Sequence, residues 1–176
     1  MGLKTHVTGV VMAAALVASP MASAAVDMFL KLDGIVGAGE SRDRIHAGEI
    51  DVLAYSWAAS KSLKPICVNT QDFAFTHYVD KASPKFLTYL GTGQAISKAT
   101  LFVRKAGETP VEYIVLELTN AIVTSLSNGG SGGEDRLTEN VTLSFTTMKF
   151  SYTAQDPSGR PISPPLESTI AGNCGK

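Results

Sequence analysis

The residue types that most often carry catalysis or bind metal ions are scarce in this sequence. Beyond the first 25 residues the histidines are His46 and His77. Neither lies at a metal-ligand spacing from another His or Cys, so the sequence predicts no zinc site. His77 is interpreted as a polar residue at the end of a strand. Serines are plentiful, but we predict no nucleophile elbow among them.

A glycine-rich stretch followed by charged residues is the other place where chemistry could reside. Its glycines, which we expect to form a turn that is free to take positive φ angles, are Gly129, Gly130, Gly132 and Gly133. A phosphate loop would need a following Lys, and the acidic pair Glu134-Asp135 would repel an anion. The carboxylates, with Glu139 included, lack the alternating spacing of a calcium loop. We interpret them as solvated charges or as partners of Arg136 across a subunit contact. The sequence therefore predicts no enzyme, metal site or cofactor.

The strongest strand signal follows this turn. Val141, Leu143 and Phe145 alternate with polar residues, the period of a half-buried strand. After Thr147 the apolar phase moves by one residue, which turns the other face inward. We expect a bulge or strong bend at this point, where the chain passes between two packed sheets.

The rest of the chain also reads as short strands. Apolar alternation predicts further strands at 26–32, 49–57, 67–75, 95–105, 113–118 and 121–126, with 58–65 as a short polar connection. Ser83 as N-cap and Pro84 at the first helical position predict one short helix that ends at Gly91 or Gly93. The predicted fold class is mainly β: an antiparallel β-barrel or two-sheet sandwich with one short α-helix.

The N-terminus has the three regions of a signal peptide. Lys4 gives a positive charge, residues 7–17 form a short apolar run, and Ala22-Ser23-Ala24 is an A-x-A cleavage site. We therefore divide the chain into a signal peptide (1–24), a barrel domain (25–155) and a proline-containing tail (156–176). The alternative is a later start at Met21 or Met28. No other apolar run is long enough for a membrane helix, so we predict no stable membrane insertion.

Composition and cysteines are consistent with export. The net charge of −1 gives no electrostatic footprint for nucleic acid. The chain has two cysteines, Cys67 and Cys174, and in an oxidising compartment an even pair suggests one disulfide. The alternative is two unpaired, partly buried thiols. The tail is expected to be extended or loosely ordered unless Cys174 holds it.

The segment GGSGGEDRLTENVTL resembles the signature of the haemolysin-coregulated protein (Hcp) family, the tube subunits of type VI secretion systems. The matched positions include the four glycines and then Glu134, Asp135, Arg136, Thr138, Glu139 and Asn140. Residues 25–31, 48–57, 72–81 and 103–107 are also similar to this family. The resemblance implies a hexameric ring with a central channel, rings that stack into a tube, and partners among the tip and sheath components and small effector cargo.

The sequence departs from the family pattern in three places. Family subunits usually lack a cleavable signal, and their Gly-rich loop is longer than residues 58–66 here. Their closing strand usually contains an aromatic-Gly-Trp segment, whereas this chain ends in Pro164-Pro165 and a cysteine-containing tail. The signal peptide predicts a periplasmic or secreted protein, extracellular by type VI secretion if the resemblance holds. The alternative function is an exported β-barrel binding or adhesion module that kept the ring fold but not the tube role.

Overall fold

The computed structural model describes residues 26–35, 39–63, 66–105, 110–133 and 135–171. Within these ranges the chain forms ten strands and one helix, and the sequence predicts this mainly-β composition with a single helix. The elements are β1 Val26–Leu32, β2 Ile50–Ser56, β3 Ala59–Leu63, β4 Ile66–Thr70, β5 Phe73–Tyr78, α1 Ser83–Thr92, β6 Ile96–Lys105, β7 Glu112–Gly129, β8 Thr138–Ser144, β9 Thr147–Tyr152 and β10 Leu166–Ala171.

Six antiparallel strands close into a barrel. The strand order runs β7-β6-β1-β2-β5-β8, and the pairing of β8 with β7 closes the cycle. Strand β9 follows β8 along the same edge of β7, opposite the edge that pairs with β6. Strand β10 pairs with β9, so these two strands extend one wall beyond the barrel. The predicted fold class is confirmed.

The long strand β7 is the element on which both walls depend. Its first half pairs with β6 and β9, and from Ile122 onward it pairs with β8. Asn120, which has a φ of 50°, lies where the partners change. Asn tolerates this left-handed conformation better than most residues do. The two strands predicted at 113–118 and 121–126 are therefore halves of one bent strand.

The predicted break near Thr147 is confirmed. Strand β8 ends at Ser144 and pairs with β5 and the second half of β7. Strand β9 begins at Thr147 and pairs with the first half of β7 and with β10. The shift of the apolar phase thus marks the passage of the chain from one wall to the other.

The core fills the barrel interior and is rich in aromatic side chains. Phe86 of α1 is fully buried against Phe75 and His77, so the helix closes one end of the barrel. Gly93 ends the helix with a φ of 65°, as predicted. The predicted N-cap is wrong: Ala82 holds that position. The Oγ of Ser83 instead accepts a hydrogen bond from the N–H of Asp80.

Two segments that the sequence leaves irregular are strands. The predicted polar connection 58–65 is wrong, because Ala59–Leu63 forms β3 and pairs with β4. Strand β10 lies in the tail that we expected to be extended or loosely ordered, so the first of these two alternatives holds for residues 166–171. The prolines at 161, 164 and 165 precede this strand and lie outside it, and β10 is an edge strand. Among the described residues, no helix is both long and apolar enough to span a membrane.

Candidate assembly surface

The glycine-rich turn joins β7 to β8, and its glycines differ in role. Gly133 has a φ of 102°, whereas Gly129 is the last residue of β7. A Cβ on Gly130 would lie 2.2 Å from Cδ2 of Leu137, because the side chain of Leu137 packs closely against the backbone of Gly130. The turn is confirmed, and of its four glycines Gly133 uses the freedom to take a positive φ.

The charged residues after the turn are divided between solvent and core. The guanidinium of Arg136 lies 3.9 Å from the ring centroid of Tyr78, a cation–π contact that fixes the turn against β5. Asp135 is exposed, and Glu134 lies outside the described residues. On β8, Thr138 pairs with Gly129 and Tyr78, and Oδ1 of Asn140 accepts a hydrogen bond from Thr76.

Glu139 is neither a solvated charge nor a partner of Arg136, and that interpretation is wrong. Its side chain is 1% exposed, and its Oε1 lies 2.8 Å from Nε2 of His77. His77 lies near the end of β5, as predicted, but it is fully buried, which the sequence did not indicate. The second ring nitrogen, Nδ1, lies 3.9 Å from Oδ1 of Asp80.

Burial controls the ionisation of this group. Desolvation lowers the pKa of His77, against the opposing effect of the carboxylates of Asp80 and Glu139. Desolvation also raises the pKa of Asp80. Three titratable side chains thus connect β5, β8 and the segment that leads into α1. Register between β5 and β8, which places His77 opposite Glu139, brings this cluster together.

A second cluster holds the loop of residues 39–49 against the outer face of β1 and β6. The ring of His46 stacks on Phe29, with centroids 4.3 Å apart, and lies 5.0 Å from Phe102. Its Nδ1 lies 2.8 Å from Glu49, and its Nε2 lies 3.2 Å from Glu112.

Arg104 and Gly39 provide the other anchors of this loop. The guanidinium of Arg104 binds both carboxylate oxygens of Asp43 and lies 3.4 Å from Asp27. This guanidinium holds the pKa of Asp43 well below its usual range. A Cβ on Gly39 would lie 2.0 Å from the carbonyl oxygen of Glu49, so only glycine fits. Sequence analysis missed this cluster, because its members lie far apart in the chain.

Open strand edges form the surface most suited to assembly. The outer edge of β10 has no strand partner among the described residues. Strand β2 pairs with β1 only at Ile50 and Asp51, and β3, which follows it, pairs only with β4. The β3–β4 hairpin ends in Leu63 and Ile66, which are 73% and 77% exposed. Unpaired edges and exposed apolar side chains are features that a protein normally covers.

An apolar groove lies beside β10. It has a volume of about 280 Å³ and is lined by Trp57, Met148, Phe150, Ser168 and Ile170. The ring of Trp57 lies 6.3 Å from that of Phe150. The groove therefore lies between Trp57, which follows β2, and the strands β9 and β10.

The outer face of the same wall has an alternating row of charges. Nζ of Lys98 on β6 lies 3.2 Å from Glu117 on β7. Nζ of Lys149 on β9 lies 3.6 Å from Glu117 and 2.8 Å from Glu167 on β10. Lysine and glutamate therefore alternate across four strands, and the row ends with Glu167 at the open edge.

Other predicted features fall outside this surface. The described residues contain no group of three or more His, Cys, Asp or Glu side chains that could hold a metal ion. Cys67 lies on β4, whereas Cys174 and the cleavage-site residues Ala22 and Ala24 lie outside the described residues. The disulfide and the cleavage site stay predictions.

Comparison with known proteins places this fold in one family. The family model described as "Type VI secretion system effector, Hcp" matches residues 29–152. Protein hcp1 of Pseudomonas aeruginosa strain PAO1 is 44% identical over 144 residues, which cover 77% of this chain and 88% of that protein.

Solved structures agree. The crystal structure of Hcp1 from Salmonella typhimurium has a TM-score of 0.72 at 34% identity and covers 84% of this chain and 94% of that one. A type VI secretion system effector from Yersinia pestis has a TM-score of 0.67 at 34% identity, covering 82% and 99%. The similarity extends over nearly the whole of these relatives.

Proposed function

Because this chain belongs to the Hcp family of type VI secretion proteins, we propose that it works as a homohexameric ring around a central channel. The rings stack into the inner tube of the secretion machine, and the channel carries small effector proteins. Its partners are further copies of itself, the tip and sheath components, and the cargo. The chain acts through its shape and its contacts, as a secreted structural protein.

The observation that carries this proposal is the pair of uncovered edges on an otherwise closed barrel. Each of the six barrel strands pairs with a neighbour on both sides over at least part of its length. Among the described residues, open edges include those of β10, of β2 beyond Asp51 and of the β3–β4 hairpin. Two different edges on one molecule support a head-to-tail contact, which produces a ring when the rotation closes.

Exposed apolar side chains support the same proposal. Leu63 and Ile66 stand opposite each other at the tip of a two-stranded hairpin. An isolated hairpin of this kind is marginally stable in water. Contact with another copy would bury both side chains and stabilise the hairpin.

Export by the N-terminal signal is a separate part of the proposal. Cleavage after Ala24 would leave a mature chain that begins Ala25-Val26-Asp27. This route differs from release through the secretion machine, and the intact mass of protein recovered from its native compartment distinguishes them. A mass that retains residues 1–24 would overturn cleavage and leave ring assembly untouched.

The test of assembly is the molar mass of the mature protein in solution, with electron micrographs of the same sample. We expect a mass six times that of the chain and annular particles. A strict monomer at high concentration, with no annuli under any condition, would overturn the proposal.

A further inference from the structure

Two open edges of the described structure, those of β10 and β3, differ in length, regularity and charge. Strand β10 pairs with β9 through six consecutive residues, without a register shift, and contains no proline. Its outer edge therefore presents an unbroken row of backbone groups. Proteins usually protect such edges with prolines, bulges or lysines. In the described part of the chain none of these devices is present on β10.

Strand β3 provides the other edge. Its sequence is Ala-Ser-Lys-Ser-Leu, and Lys61 is its central residue. The side chain of Lys61 is exposed and takes part in no ion pair with another described residue. A cation therefore lies at the middle of one open edge.

The alternating row of charges indicates which edges fit together. Lys98, Glu117, Lys149 and Glu167 alternate in sign from β6 to β10, and Glu167 is half exposed at the end of the row. Opposite charges on neighbouring strands stabilise a sheet, and like charges destabilise it. The next strand beyond β10 should therefore present a lysine.

The charge on β3 disfavours pairing between two copies of that edge. Two β3 edges related by a two-fold axis through their centres would bring Lys61 opposite a second Lys61. A two-fold contact would also close as a dimer, whereas contact between unlike edges can repeat around a ring.

We propose that the open edge of β10 in one copy pairs with the open edge of β3 in a second copy, with Glu167 beside Lys61. The sheet then continues from one subunit into the next, and the charge row gains a fifth member. This inference rests on the proposed ring and names the strands that form its repeated contact.

The test is a charge-reversal cycle in the mature protein. Lys61→Glu and Glu167→Lys should each raise the concentration at which rings dissociate by about fivefold or more, since exposed pairs contribute up to about a factor of five and reversal adds repulsion. The double variant K61E/E167K restores the opposite charges and should return to within about twofold of the wild type. Lys98→Glu, at the far end of the row, is the matched control and should leave the dissociation concentration unchanged.

Hydrogen exchange provides a second measurement. The amides of Leu166–Ala171 and Ala59–Leu63 should exchange more slowly in rings than in diluted monomers, because edge groups gain partners on pairing. Equal exchange in the two states would overturn the proposal.

The outcomes separate this inference from the proposed function. If the wild type forms rings and the single variants dissociate at the same concentration as the wild type, the β10–β3 contact is overturned and the ring is not. The same holds if the double variant does not restore the dissociation concentration that the single variants change. A wild type that never forms rings would overturn both.

Discussion

Nε2 of His77 and Oε1 of Glu139 lie 2.8 Å apart on neighbouring strands of the barrel wall, and neither side chain reaches solvent. Glu139 belongs to the segment that carries the family resemblance, and His77 lies on the strand opposite. The presence of Glu139 in that segment is therefore explained by its role in the folded barrel. Other residues of the same segment, among them Asp135, are exposed and can take part in contacts at the surface.

Removal of Glu139 should strongly destabilise the barrel. Glu139→Ala leaves the ring of His77 buried without its partner, and an unsatisfied buried polar group costs about 1–3 kcal/mol. Urea unfolding of the mature protein measures the loss. Glu167→Ala is the control, because its exposed pair with Lys149 should contribute less than about 1 kcal/mol. An equal loss for the two variants would contradict a special role for the buried pair.

Mild acid should destabilise the fold through His77. Burial lowers its pKa below the ordinary value of 6.5, so the unfolded chain binds more protons as the pH falls from 6.5. The free energy of unfolding should then fall with the pH. Asp80, whose pKa is raised above 3.8, opposes this trend, because its stabilisation is present at low pH and is lost as the pH rises.

The check is urea unfolding between pH 7.5 and pH 5.5, these being about one unit either side of the ordinary value of histidine. In the His77→Phe variant, the free energy of unfolding should fall less steeply with decreasing pH than it does in the wild type. Identical slopes would show that another group governs the response.

The loop of residues 39–49 should open when its central ion pair is removed. Asp43→Asn weakens the contact with Arg104, which is worth about 1.5–3 kcal/mol for a hydrogen bond between charged groups. Arg42 and Arg44 are exposed on this loop, so trypsin should cleave after them faster in the variant. Asp51→Asn, an exposed neighbour, should leave the cleavage rate unchanged. Equal rates for all three proteins would contradict the anchoring role of Asp43.

Gly39 should tolerate no side chain. Its Cβ would collide with the backbone of Glu49, which cannot rotate away, so Gly39→Ala should cost about 2–3 kcal/mol, at the upper end for overpacking. Gly132→Ala is the control, since nothing lies within 4 Å of the added methyl group. Thermal unfolding of the two variants distinguishes them, and a neutral Gly39→Ala would show that the loop can shift.

The predicted disulfide has its own measurement. Titration of the oxidised, denatured protein should detect no free thiol if Cys67 and Cys174 are joined. The bridge would close a loop of over 100 residues and stabilise the fold by roughly 4 kcal/mol through loop-closure entropy. The reduced protein, which has the same sequence, is the control and should unfold at lower urea concentration. Two reactive thiols in the oxidised sample would refute the bridge.

The sequence by itself determined the fold class and its central bend. Alternation with period two is a local property, so Val141, Leu143 and Phe145 predict their strand without knowledge of any neighbour. The phase shift at Thr147 is equally local, and the structure places the change of sheet there. The motif after Gly129 also carries enough letters to indicate the family.

Only the tertiary structure decided which charged residues are buried and which edges are open. His77 meets Glu139 through the register of β5 and β8, and Arg104 meets Asp43 across a long stretch of chain. A polar residue in a strand has the same local signature whether its partner is water or a distant carboxylate. Strand β3 escaped prediction for a related reason, because its Ser and Lys residues face solvent and leave no apolar alternation to detect.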